Sequence, residues 1–98
     1  MPFIVLDFDE TYTACPAIFN AMLREAEIQG TEVVVCTARN NRPHDDNRDV
    51  FEMCKDKGLE IIFSGSDSKW KALQQAGYLP ENAIWIDDTP RAIEGLKW

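Results

Sequence analysis

The sequence predicts an α/β fold, a parallel sheet flanked by helices, on two observations. Four short apolar runs, Phe3-Ile4-Val5-Leu6, Val33-Val34-Val35-Cys36, Leu59-Glu60-Ile61-Ile62-Phe63 and Ala83-Ile84-Trp85-Ile86, alternate with four helical patterns. The runs are continuous or nearly so, as expected of strands covered on both faces, and such strands arise when βα units build a parallel sheet. With 98 residues, 45% hydrophobic and 28% charged, the chain is expected to form one globular domain over residues 1–98.

Taken in order, Phe3–Leu6 is the first buried strand. A helix is expected over Thr13–Gly30, with Pro16 in its first turn, Ile18, Met22 and Ala26 on one face, and Gly30 as its stop. Val33–Cys36 is the second strand, followed by a polar loop from Thr37 to His44. A second helix is expected from Asp45 to Lys57, closed by Gly58. Leu59–Phe63 is less uniform and so nearer an edge. Ser64-Gly65-Ser66-Asp67 is loop chemistry that leads to a helix across Ser68–Ala76, ended by Gly77. Ala83–Ile86 is the fourth strand. Thr89 as N-cap and Pro90 behind it start a last short helix that runs into the C-terminus.

Composition narrows the function. The formal net charge is −7, whereas a protein that coats nucleic acid needs a basic face to displace counterions. A nucleotide substrate stays open, because a bound cation and a few arginines offset the field locally. Three cysteines without CxxC spacing and a single histidine make a structural zinc site a poor reading; Cys36 and Cys54 read as small buried hydrophobes. No apolar run has the length of a membrane span and the N-terminus is not a secretory signal, so the expectation is a cytoplasmic protein with no membrane partner.

Position carries the functional argument. In open α/β sheets, ligands bind beyond the carboxyl ends of the strands, near a switch in strand order. Asp7, Asp9 and Thr11 follow the first strand and Thr37 and Arg39 the second. Ser64 to Lys69 follow the third, and Asp87 and Asp88 the fourth. Carboxylates gathered at one end of a sheet cannot all stay ionised without a counter-charge. Mg²⁺ supplies one: it takes a few carboxylates, keeps waters and bridges to phosphate. Thr11, Thr37 and Lys69 are placed in chain order to donate to phosphate oxygens. Singly, these residues have bland readings: an acid pair caps a helix, and a lone helix lysine is solvated. Asp87-Asp88 resists that treatment, since acids straight after an apolar strand have no packing reason to be there.

These segments resemble the haloacid dehalogenase-like (HAD) superfamily of phosphohydrolases. Asp7-Phe8-Asp9-Glu10-Thr11 matches its first motif and Val35-Cys36-Thr37-Ala38-Arg39 its second. Lys69 in Ser66-Asp67-Ser68-Lys69-Trp70 matches the third, and Ile86-Asp87-Asp88-Thr89-Pro90 the fourth. The resemblance implies a Rossmann-like three-layer domain with its strands in the order 4-1-2-3. The short stretches between motifs leave no room for the cap domain that many relatives carry.

It also implies a Mg²⁺-dependent phosphatase, a phosphoric monoester hydrolase, with Asp7 as nucleophile and Asp9 as general acid and then base. Asp7, the backbone carbonyl of Asp9 and Asp88 would hold the metal, with Asp87 behind Asp88; which of the last two is the direct ligand stays open. Thr37, Lys69 and Thr11 would bind the phosphoryl group, and Lys71 is a near-neighbour rival to Lys69. Glu10 departs from the family's usual glycine and puts an extra acid beside the site.

The loop Arg39-Asn40-Asn41-Arg42-Pro43-His44 is the one locally basic stretch, and it makes Arg39 and Arg42 candidate substrate contacts. Asp45, Asp46 and Asp49 offer it a neutralising alternative. The Asp-Asp-x-Pro form of the fourth motif looks like that of deoxyribonucleotidases and polynucleotide 3′-phosphatase domains. The expected partner is therefore a phosphorylated small molecule or a nucleic-acid 3′/5′ phosphate end. The rival reading is a non-catalytic phosphate- or Mg²⁺-binding module on a degenerate scaffold. A phosphoaspartate receiver is a poor fit, because its aspartate follows the third strand, where this chain has Phe63-Ser64-Gly65. Exposed Trp70 and Trp98 raise the option of a homo-oligomer contact.

Overall fold

The computed structural model describes residues 2–93. Four strands, β1 (Phe3–Leu6), β2 (Val33–Thr37), β3 (Glu60–Phe63) and β4 (Ala83–Ile86), form an all-parallel sheet in the order β3-β2-β1-β4. Three helices, α1 (Pro16–Gln29), α2 (Arg48–Lys57) and α3 (Lys69–Gln75), connect them. The arrangement is consistent with a Rossmann-like α/β domain.

Side-chain alternation along the strands divides the core in two. Leu6, Val33 and Val35 face α1 and α2 and pack with Leu23, Ala26, Val50, Met53 and Cys54. Phe3, Val5, Val34, Cys36 and Ile62 face the other way and pack under Ala72 and Leu73 of α3. Both faces of the central strands are thus covered, which is why β1 and β2 read as unbroken apolar runs. β3 and β4 lie at the edges, and Ile84 of β4 is 53% exposed.

Several details differ from the sequence reading, and the first helix starts at Pro16 instead of Thr13. Ile18 is 67% exposed; α1 buries Leu23 and Ala26, with Phe19 and Met22 packed beside them. Residues 19, 22, 23 and 26 follow the i, i+3, i+4, i+7 stripe, whereas steps of four starting at Ile18 drift off a 3.6-residue helix face. The second helix starts at Arg48, not Asp45, because the Asp45 N–H closes a turn on the Arg42 carbonyl at 3.0 Å. Pro90 opens only a 3-10 turn, Pro90–Ala92, and Thr89 makes no side-chain cap bond there. The rest of that expected helix lies outside the described residues, as does Trp98. Trp70 is half-buried and stacked on Trp85 with ring centroids 6.4 Å apart, so it is a packing residue. Among the described residues no helix is long and apolar enough to cross a membrane.

The strand ends are drawn together at the carboxyl edge. Leu6 is in register with Ile86, and the Asp7 N–H donates to the Ile86 carbonyl at 2.9 Å, so Asp87 and Asp88 emerge beside Asp7. The loop after β3 is held against the loop after β2: Ser64 N–H donates to the Thr37 carbonyl (2.8 Å) and Gly65 N–H to the Arg39 carbonyl (3.2 Å). Gly65 has φ +56°, a left-handed conformation that favours glycine; a Cβ there would also displace the Asn40 side-chain oxygen, which lies 2.5 Å away.

Candidate active site

Asp7 is the first residue past β1 and is 6% exposed. The chain then makes a kinked turn, Phe8–Tyr12, in which Asp9 is extended and Glu10 has φ +61°. Phe8 and Tyr12 stack on each other inside the core at 5.7 Å between centroids, and the Tyr12 hydroxyl donates to Asn20 Oδ1 at 2.7 Å. These anchors hold the turn so that Thr11 faces back toward Asp7.

Around Asp7 lies a compact polar group. Lys69, the first residue of α3, is buried, and its Nζ donates to Asp7 Oδ1 at 2.8 Å and to Asp87 Oδ2 at 2.6 Å. Ser68 caps this helix by accepting from the Lys71 N–H at 3.0 Å. Lys71 itself is exposed, with its ammonium 3.9 Å from Asp67, so it stands outside the group. Thr11 Oγ1 lies 3.0 Å from Asp7 Oδ2 and 3.1 Å from Asp88 Oδ1, and it accepts from the Asp88 N–H at 3.1 Å. One hydroxyl proton serves one carboxylate at a time. Asp87 uses its other oxygen to accept from the Thr89 N–H at 2.9 Å.

The charges do not balance. Asp7, Asp87 and Asp88 face one ammonium. Burial, opposed by the Lys69 hydrogen bond and reinforced by Asp88, pushes the Asp7 carboxyl up to about 6. Asp88 is held below the usual carboxylate range, first by its hydrogen bond with Asp7 and then by Thr11. Burial opposes the charge on Lys69, but the hydrogen bonds it donates to Asp7 and Asp87 outweigh it and raise its pKa. Asp7, Asp87 and Asp88 each offer an oxygen within 4.8 Å of the others, a donor set that suits a hard divalent cation.

The Asp9 side chain is paired outside this group. Its carboxylate sits in the fork of Arg39, Oδ2 accepting from Nε at 2.8 Å and Oδ1 from Nη2 at 2.7 Å. Arg39 in turn grips Asp49, through Nη1 at 2.6 Å and Nη2 at 3.0 Å, and lies over the Phe8 ring at 5.2 Å. Both carboxylates raise the Arg39 pKa, Asp9 first. Thr37 is buried beside these groups, and its Oγ1 accepts from the Arg39 N–H at 3.3 Å.

The basic loop is largely neutralised from within. Arg48 pairs with Asp46 at 3.2 Å, and His44 lies 3.3 Å from Asp45. Arg42 is exposed and enters no ion pair among the described residues.

Asp7, Thr11, Lys69, Asp87 and Asp88 therefore meet in one cluster, with Asp9, Arg39 and Asp49 forming a second beside it. Sequence reasoning took Asp49 only as a balancing charge and missed its grip on Arg39. Its place in the first turn of α2, which starts at the same end of the sheet, was the available signal. A hollow of about 810 Å³ lies at the far end, by the start of β2 and β3, lined by charges of both signs including Arg24, Glu27, Asp56 and Lys57; it touches none of these residues. Set against known proteins, the chain matches no family model, no curated protein and no solved structure.

Proposed function

We propose that the chain is a Mg²⁺-dependent phosphomonoester hydrolase of the HAD-like kind, working without an inserted cap domain, in the cytoplasm. The observation that carries this reading is Asp7: a carboxylate buried at the carboxyl end of a central strand, held by one lysine and crowded by two further acids. A purely structural carboxylate has no reason to sit in such a place.

In this reading Asp7 attacks phosphorus and forms the aspartyl phosphate, while the leaving oxygen departs with a proton from Asp9. Water then attacks the same phosphorus, Asp9 takes its proton, and phosphate leaves with Asp7 restored. Lys69 keeps Asp7 ionised and, with Thr37, neutralises the phosphoryl oxygens. Asp7, the Asp9 carbonyl and Asp88 hold Mg²⁺, which would offset charge on the phosphoryl group. Asp88 is favoured over Asp87 because both Asp87 oxygens already accept, from Lys69 and from the Thr89 N–H. Thr11 serves the carboxylates more directly than phosphate, since its hydroxyl is engaged with Asp7 and Asp88. The substrate is a phosphorylated small molecule or a nucleic-acid phosphate end, with Arg42 the exposed arginine nearest in sequence to Thr37 and Arg39.

Release of phosphate from p-nitrophenyl phosphate tests the reading. It should require Mg²⁺ and vanish in Asp7→Asn, and full activity in that variant would sink it. The second reading, a phosphate- or Mg²⁺-binding module without turnover, is favoured by one observation: the Asp9 carboxylate is tied into an ion pair with Arg39. It requires tight binding of phosphate or Mg²⁺ and no turnover across a panel of phosphomonoesters.

A further inference from the structure

We propose that Arg39 and Asp49 are positioning residues for Asp9, a relay from α2 that aims the proton carrier at the leaving group. The inference rests on the reading of Asp9 as general acid. Asp9 needs such a device. Its side chain is 48% exposed, and it sits in a kinked turn whose non-helical residues are Asp9 itself, φ −67° and ψ 132°, and Glu10, φ +61°. Nothing in that turn fixes its carboxylate, yet proton transfer demands hydrogen-bond reach and a defined direction.

Arg39 supplies both. A planar guanidinium that donates from Nε and Nη2 sets the position and the plane of the carboxylate, which a lysine's point charge does not. The fork uses one lone-pair site on each oxygen and leaves the others for a proton.

Arg39 is itself braced on two sides. Its guanidinium lies 5.2 Å from the Phe8 ring centroid, and two further N–H groups, on Nη1 and Nη2, bind Asp49 at 2.6 and 3.0 Å. Asp49 is fixed in the first turn of α2, where its Oδ1 also accepts from the Val50 N–H at 2.9 Å. The relay thus ties the turn after β1 to the loop after β2 and to α2. Stability is a weak reason for it, because partly exposed ion pairs contribute only about 0–1 kcal/mol each.

The test compares phenyl phosphate with p-nitrophenyl phosphate, esters of similar size and equal charge that differ in how much their leaving group needs a proton. kcat/KM covers the steps up to loss of the leaving group, so the later hydrolysis drops out of the comparison. In Asp49→Asn and in Arg39→Lys, kcat/KM on phenyl phosphate should fall about tenfold or more relative to p-nitrophenyl phosphate. Asp49→Glu should recover part of the ratio, and the double variant should lose no more than Arg39→Lys alone. A purely structural role lowers both esters alike and leaves the ratio unchanged, which would overturn the inference. A rise in activity on removing the fork would overturn it too. If the unaltered chain hydrolyses both esters and Asp7→Asn does not, an unchanged ratio removes the relay alone. If the unaltered chain hydrolyses neither, the relay falls together with the proposed activity.

Discussion

Replacing Asp7 by asparagine should make the Mg²⁺-free protein more stable. The buried carboxyl is pushed from an ordinary value of 3.8 up to about 6, so the native state keeps a proton on Asp7 where the unfolded chain has released it. The stability linked to this group is complete below 3.8, falls as the pH rises, and is lost above about 6. The interval is roughly two powers of ten, or about 3 kcal/mol at neutral pH. The Asp7→Asn side chain has no charge to desolvate. Its oxygen can still accept from Lys69, and its NH₂ group faces Thr11 Oγ1. For a domain of this size, about 3 kcal/mol corresponds to roughly 10–20 °C in Tm. Urea unfolding in EDTA should show the variant ahead by up to that amount at pH 7.5 and level with the unaltered chain near pH 4. Saturating Mg²⁺ should reverse the order, adding about 2.7 kcal/mol to the unaltered chain at a hundred times its Kd and much less to the variant. A less stable Asp7→Asn in EDTA at pH 7.5 would refute the claim that the site holds uncompensated charge.

Other variants probe the surroundings. Lys69→Met leaves Asp7 and Asp87 buried without their cation and should cost about 3–5 kcal/mol at pH 7.5 by urea unfolding; adding Asp7→Asn should restore part of it, and no recovery would mean that Lys69 acts through packing alone. Glu10→Gly relieves a left-handed residue worth about 1–2 kcal/mol, against about 0.5–1 kcal/mol of extra freedom in the unfolded glycine chain. A net gain of about 0.5–1 kcal/mol is expected, and a loss would show that the Glu10 side chain contributes contacts of its own. Burial raises the thiol pKa of Cys36 to about 12 and of Cys54 to about 11, while Cys15 is exposed. A disulfide-exchange reagent should therefore modify one thiol in the native protein at pH 8 and all three in urea. Rapid native reaction at Cys36 would contradict the packing between β2 and α3.

The sheet was legible in the sequence because its central strands are buried on both faces, which leaves Phe3–Leu6 and Val33–Cys36 without a polar interruption. The glycines at 30 and 58 marked the ends of α1 and α2 for an equally local reason, the left-handed conformation both adopt. The grouping of Asp7 with Lys69, Asp87 and Asp88 was also readable, since parallel strands deliver whatever follows them to one edge. Partner choice among charges was not. Whether Arg39 reaches toward substrate or folds back on Asp9 and Asp49 depends on where α2 starts relative to the turn after β1, a tertiary distance that spacing does not encode. Ile18 was misread because four-residue steps alone do not follow a helix face, and Trp70 because its stacking partner Trp85 lies on another element.

The central claim is that Asp7 becomes covalently phosphorylated. The most direct measurement incubates the full chain with p-nitrophenyl phosphate and Mg²⁺, quenches in acid, reduces with borohydride and locates the product by peptide mass spectrometry. An acyl phosphate is reduced to an alcohol, so position 7 should appear as homoserine only when ester and Mg²⁺ were both present. Phosphate release with Asp7 recovered unmodified and no dependence on its carboxylate would contradict the account.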